Sequence, residues 1–339
     1  MAAGYRMAAD IRLPSGYPAG KTGGQLKMKK KKRMSLKEKT QLKWGYFFIA
    51  PAIIGLVCFN FGPMLFSMWL SFTKWDVITP QEFIGIKNYV NLFKDPLVIK
   101  SLKVTAYYTL LSVPLVTCIP LLIAMLLNTK VKGLSVFRTI FYIPSIVPVV
   151  ASSAIWMYIY NPMYGLLNSI IKSFGGHTHN FIFSPKEVIP SLAVMAVWAA
   201  GNTVVIYLAG LQGVSKQLYE AAEIDGAGGF AKFRKITIPM MTPIIFYNFV
   251  MAIIGSMQTF TQSYIMTDGG PSNASLFYSL LVYRTAFKQS QMGYSAAMSW
   301  ILFLIIAALT AFVFKTSDNW VIYENCCLLY TSDASDDKA

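Results

Sequence analysis

The sequence predicts an all-α membrane protein of six transmembrane helices, with a polar loop outside the bilayer between the fourth and the fifth. Three observations predict it. Of the 339 residues, 55% are hydrophobic and only 13% are charged, whereas a soluble domain carries about a quarter charged residues. Six apolar runs follow one another, each of the roughly 20 residues or more that a helix needs to cross a bilayer. Between the fourth and fifth runs, residues 220–239, EAAEIDGAGGFAKFRKITIP, are charged and amphipathic.

Residues 1–43 form a basic segment expected to lack structure. It holds twelve of the 30 Lys and Arg, between Arg6 and Lys43. The net charge of +15 is thus a topology signal beside a membrane helix and not a nucleic-acid footprint. Residues 16–22, GYPAGKT, fall one residue short of a phosphate-binding loop, contain Pro18 and follow no strand. Met28 or Met34 is an alternative start. The apolar run after Lys43 is too long for a cleaved signal peptide.

The expected spans are 44–72, 104–128, 137–160, 189–211, 241–265 and 294–314, within a transmembrane domain at 44–315. Prolines interrupt three of them: Pro51 and Pro63, Pro114 and Pro120, and Pro144 and Pro148. Bent helices around a cavity and plain packing kinks explain these equally well. With the N-terminus inside, the cytoplasmic segments carry the N-terminal cluster, Lys130, Lys132, Arg138, Lys216, Lys232, Arg234, Lys235 and Lys315. The opposite side carries nine basic residues. This bias places both termini and the 214–239 loop in the cytoplasm.

With Arg138 counted to its loop, the spans hold no Asp, Glu, Lys, Arg or His. Proton-coupled carriers place such groups inside the bundle, so energy for uphill transport must arrive from another subunit. Sodium coupling through backbone carbonyls stays open. His177 and His179 in the second external loop lack sequence neighbours that would complete a metal site. Cys58 and Cys118 show neither disulfide nor metal spacing.

The polar loop has its own order. Ser215 is a candidate N-cap for a helix of good formers through Glu223. Leu218, Ala221, Ala222 and Asp225 share one side, and Gly226 ends the helix. Gly228 and Gly229 open a second short turn with Phe230 and Phe233 three apart. Pro239 suits the first turn of the next helix. Ala221 and Ala222 offer a smooth surface to a partner.

Glu220, Ala221 and Ala222, then Gly226, Ile236 and Pro239, match the EAA-loop signature of the membrane subunits of bacterial ATP-binding-cassette (ABC) importers, with Ile238 where Leu is usual. Thr267-Asp268-Gly269-Gly270-Pro271, with Ser275 nearby and Met292-Gly293-Tyr294-Ser295-Ala296-Ala297 downstream, resembles the external segment of carbohydrate-importer permeases. There the pattern is usually Thr-Gly-Gly-Gly-Pro, so Asp268 departs from it. The resemblance runs from about Lys43 to Lys315 and is closest to the maltose-type permease of the oligosaccharide and glycerol-phosphate class.

This resemblance implies a permease subunit in the bacterial cytoplasmic membrane, surrounded by lipid, working by alternating access. Its partners would be a second similar permease, two ABC ATPase subunits and an extracellular solute-binding protein that delivers a sugar. The chain would hold no cofactor or metal and catalyse no reaction, with ATP and Mg on the ATPases. Glu220, Ala221, Ala222, Asp225, Gly226, Ile236 and Pro239 would form the coupling element. Ser256, Gln258 and Thr259 resemble sugar-contacting positions, and Trp198 and Asn202, four apart, would share a face with them. Interhelical hydrogen bonding explains the same polar residues. A sodium-coupled carrier, or an ABC importer for a non-sugar solute, is the alternative. Residues 316–339 are a tail, of which 326–339 read as a sequencing artefact or else as a native acidic end.

Overall fold

The computed structural model describes residues 36–129 and 133–322. The basic run through Arg33, Lys130 and Lys132 between α4 and α5, and the tail at 326–339 lie outside the described residues. The chain divides into two units, Met1–Asn60 and Phe61–Ala339.

In the first unit, helix α1 (Leu36–Leu56) begins eight residues ahead of Trp44 and carries Pro51 within it. Phe47 and Phe48 are 66% and 73% exposed. Beyond Lys43 the helix is apolar on every side, as a membrane span is.

The second unit opens with α2 (Gly62–Leu70), with a proline in its first turn. A short antiparallel hairpin comes next, Thr73–Lys74 (β1) with Glu82–Phe83 (β2), pairing Thr73 with Phe83. It leads into α3 (Lys87–Lys94) and α4 (Pro96–Leu127). Asp95 caps α4 through its side chain, which accepts from the Leu97 N–H, and Pro96 stands in the first turn where no N–H is needed. The chain continues as α5 (Leu134–Ile146), α6 (Val149–Ile159), α7 (Leu166–Ser173), α8 (Val188–Trp198) and α9 (Gly201–Gly213). It ends as α10 (Lys216–Ile224), α11 (Gly229–Lys232), α12 (Ile238–Met257), α13 (Thr261–Met266), α14 (Tyr278–Tyr283) and α15 (Met292–Ser317).

Among the described residues four stretches are long and apolar enough to cross a membrane: Thr40–Leu70, Pro96–Leu127, Gly229–Met266 and Met292–Ser317. Two bent pairs raise the count to six if each is one span: α5 with α6, bent by 103°, and α8 with α9, bent by 48°. The third expected span, 137–160, is therefore sharply broken. Val147 is extended and Pro148 precedes α6, as the restriction on a residue before proline requires. By contrast α4 runs unbroken through Pro114 and Pro120. The break between α8 and α9, at Ala199 and Ala200, contains no proline.

Helix α4 is the centre of this unit and packs against α8, α9 and α12. One apolar core joins Tyr108, Trp156, Leu192, Met195, Phe277 and Met298, and a second joins Leu121, Ala124, Tyr207 and Met241. Some polar groups inside it are tied to backbone: Tyr160 donates to the Ser191 carbonyl at 2.7 Å, and the Thr105 hydroxyl accepts the Tyr278 N–H at 2.9 Å, whereas the Trp156 Nε1 and the Tyr207 hydroxyl have no partner among the described residues. Buried donors without such partners cost about 1–3 kcal/mol each.

Candidate functional site

None of the residues of helix α10 is buried. Ser215 occupies the N-cap position, but its side chain makes no capping bond. The C-terminal end is built more firmly. Gly226 has φ +74°, its N–H returns to the Glu223 carbonyl at 3.0 Å, and the Ala227 N–H returns to Ala222 at 2.8 Å. This pair of bonds is the usual closure of a helix by a left-handed glycine.

Two contacts fasten α10 to the segment that leads into α12. The Tyr219 and Thr237 hydroxyls meet at 2.9 Å, and Lys232 pairs with Glu223 at 2.6 Å. Neither contact was expected from the sequence, since both join residues that the turn at Gly226 brings back together. Residues 233–237 form a π-helical turn at the foot of α12, with Ile236 half-buried in it and Pro239 in the first turn of α12. Ala221 and Asp225 are exposed and Ala222 is half-buried. Glu220 is exposed, and no partner of its carboxylate occurs among the described residues. Ile224 and Phe230, 88% and 74% exposed, put apolar surface on the same loop.

A cavity of about 270 Å³ lies where α4, the α8–α9 break and the end of α12 meet. Tyr108, Ser112, Ala200, Ser256, Thr259 and Gln262 are among its lining residues. The Ser112 hydroxyl is buried without a partner, whereas the Ser256 hydroxyl is engaged with Thr109 and with the Ile253 carbonyl, both at 3.0 Å. Ser256 and Thr259 thus meet at one cavity. Gln258 lines another, with Ser279 and Ser299, because α12 ends at Met257. Trp198 packs edge-on against Trp156, with ring centroids 5.8 Å apart, and Asn202 is exposed. The four-residue spacing does not carry these two onto one helix face, because the chain breaks between them. Tyr108, Ser112 and Gln262 were missed: nothing in the sequence marks them out from the other polar residues of their segments.

The 267–276 segment is organised on the buried Ser275. Its hydroxyl donates to the Gly270 carbonyl and meets the Thr267 hydroxyl, both at 2.6 Å, and its carbonyl accepts from Ser263 at 2.5 Å. The Gly270–Pro271 peptide is cis. Asp268, where glycine is usual in the resembling segments, has φ +42° and Gly269 has φ +78°. Asp tolerates this left-handed region better than most side chains. Its carboxylate pairs with Arg284 at 2.9 Å and Lys288 at 3.5 Å. The hydrogen bond from Arg284, reinforced by both positive charges, holds the Asp268 carboxyl below the usual carboxylate range.

The segment that carries His177 and His179 corrects one expectation. The fold brings Glu187 to 3.4 Å from His179, and Glu187 also accepts the Phe181 N–H at 2.8 Å. No group of three or more metal-ligating side chains occurs among the described residues.

Residues 104–320 match the family of binding-protein-dependent transport system inner membrane components. The chain belongs to this family. It is 41% identical to the probable ABC transporter permease protein YesP of Bacillus subtilis, over 83% of this chain and 92% of that one. It is 31% identical to the trehalose/maltose transport system permease protein MalF of Thermococcus litoralis, over 81% of this chain and 94% of that one. These relatives are transport subunits and not enzymes. The fold is similar to a chain of the bacterial alginate ABC transporter solved with its pentasaccharide-bound periplasmic protein. The TM-score is 0.74 at 22% identity, covering 84% of this chain and 97% of that one.

Proposed function

We propose that this subunit takes up a sugar or oligosaccharide, handed over by an extracellular binding protein, by alternating access driven from two ABC ATPases. Family membership favours this over a sodium-coupled carrier, and relatives that carry sugars favour it over a non-sugar solute. The observation that carries it is helix α10: fully outside the core, closed at Gly226, and tied through Tyr219 and Thr237 to the foot of α12. A force applied to α10 is thereby passed to α12, whose far end carries Ser256 and leads into Thr259.

In this reading each bent pair is one of six spans and the 214–239 loop faces the cytoplasm, as do both termini. Glu220, Ala221, Ala222 and Asp225 lie on the ATPase-facing helix, while Gly226, Ile236 and Pro239 set its angle. The cavity at Ser256 and Thr259 is one wall of the sugar path, with Trp198 and Asn202 at its margins, while Gln258 faces a different cavity. A second, similar permease supplies the facing wall. At about 270 Å³ the single-chain cavity is below the roughly 300–1,000 Å³ of ordinary small-molecule sites, as half a site should be. Asp268, Gly269, Gly270 and Pro271 shape the extracellular side. ATP and Mg are held by the ATPases alone.

The test is purification of the tagged subunit expressed with its neighbouring genes, followed by ATPase and uptake assays with binding protein and sugars. Co-purification of a second permease and an ATPase, with sugar-dependent stimulation, is the expected result. A chain that purifies alone and transports in liposomes without ATP would overturn the reading.

A further inference from the structure

A larger cavity, about 460 Å³, opens between the β1–β2 hairpin, α3 and the start of α15. It falls within the size range of small-molecule sites, unlike the cavity at Ser256. Its position is set by α15. At 1.5 Å per residue the 26 residues of that helix span about 39 Å. Its far end returns to the foot of α12, where the Ile322 N–H donates to the Thr242 hydroxyl at 2.9 Å. The cavity therefore sits at the opposite end of α15 from the coupling helix.

Its walls are held rigidly. The buried Asn88 side chain donates to the Ser71 and Thr73 carbonyls, both at 2.9 Å. The Trp75 carbonyl accepts the Met292 N–H at 2.9 Å. Gly293 allows α15 to approach the hairpin, since a Cβ there would run into the Thr73 carbonyl.

The lining combines the aromatic residues Trp75 and Tyr294, the exposed amides of Asn91 and Gln291, and the carboxylates of Asp76 and Asp95. Asp76 accepts from the Ile78 and Thr79 N–H groups and the Thr79 hydroxyl, at 3.1, 2.7 and 2.6 Å. Asp95 accepts the Tyr294 hydroxyl at 3.2 Å. A carboxylate has about four lone-pair sites, so both retain acceptor capacity. Aromatic surface, amides and acceptors together suit a ring dense in hydroxyls. Two carboxylates against one ammonium, Lys74, disfavour an acidic sugar.

We propose that this cavity is a second binding site for a neutral di- or trisaccharide, a stopping place separate from the cavity at Ser256 and Thr259. The proposal rests on the sugar-import reading above. It is tested by saturation-transfer NMR on the two-permease, two-ATPase complex in nanodiscs without binding protein, using trehalose, lactose and maltotriose at millimolar concentration. At least one sugar gives a signal that falls fivefold or more in Trp75→Ala and in the Asn91→Ala/Gln291→Ala double variant. Trp75→Phe retains it. No signal from any of the three, or a signal that Trp75→Ala leaves within twofold, overturns the proposal. A signal that survives Trp75→Ala while half-maximal ATPase stimulation needs more binding protein marks the cavity as a protein contact, and also overturns it. ATP-driven uptake by the full transporter is read in parallel across a wider sugar panel. Uptake without a Trp75-dependent signal removes only this site, whereas loss of all sugar uptake in wild type removes the sugar-import reading.

Discussion

Replacing Gly226 separates two ways in which a residue at this bend can matter. Its φ of +74° lies where side chains beyond glycine are disfavoured, yet nothing stands within 4 Å of a Cβ built there. Within this subunit the cost is therefore backbone strain and not crowding. Holding an ordinary L-residue in the left-handed region costs about 1–2 kcal/mol, a factor of roughly 5–30 in the population of the closed bend. Gly226→Ala should thus reduce binding-protein-stimulated ATPase activity and uptake by up to that factor. Gly226→Val should reduce them further, because branching is poorly tolerated at positive φ. Gly226→Asn should stay near wild type, since Asn visits this region readily. Gly226→Asp tests charge beyond conformation: its backbone cost should be close to that of Asn, so a deeper loss would come from the partner surface. The assay is sugar-dependent ATPase activity and uptake in liposomes at matched protein levels. If Ala and Val match wild type, or Asn is as damaging as Val, the conformational argument is wrong.

The same geometry sets three further outcomes. Glu220→Ala, on an exposed side chain, should leave thermal stability within about 0.5 kcal/mol while weakening ATPase coupling, because a basic partner stranded in an interface typically costs about 2–5 kcal/mol; melting and coupling are measured on the same preparation. The folded-state pKa of Asp268 lies below its unfolded value of about 3.8. Its contribution to stability is fully present above that value and fades as the pH falls through the depressed one. Asp268→Asn, which keeps a side chain suited to the left-handed backbone, should remove this acid-side dependence in melting curves from pH 2.5 to 6. Thr259→Ala should lower the uptake rate severalfold, whereas Gln258→Ala, facing a different cavity, should change it less than twofold; equal losses would count against the cavity at Ser256 as the sugar path.

The class of the protein, the positions of its apolar runs and the existence of the α10 element were legible in the sequence. Each depends on residues close together in the chain. Length and hydropathy mark a span, and Gly226 with Pro239 after it marks the end of one helix and the start of another. The motif at Thr267–Pro271 was legible too, but not the reason Asp268 can occupy it. Arg284 and Lys288 lie 16 and 20 residues downstream, and only folding brings their charges to its carboxylate.

Proline was an unreliable guide to bends. Pro114 and Pro120 sit inside a continuous α4, whose neighbours hold it straight, while the α8–α9 break has none. That break decided more than any motif. It separated Trp198 from Asn202 and shaped the cavity that gathers Tyr108, Ser112, Ser256, Thr259 and Gln262 from two parts of the chain. Sequence determined what each segment is, because local backbone preferences and burial patterns are short-range. Tertiary structure alone decided which polar side chains meet, because that depends on turns and helix crossings that join residues 9 positions apart in one case and 173 in another.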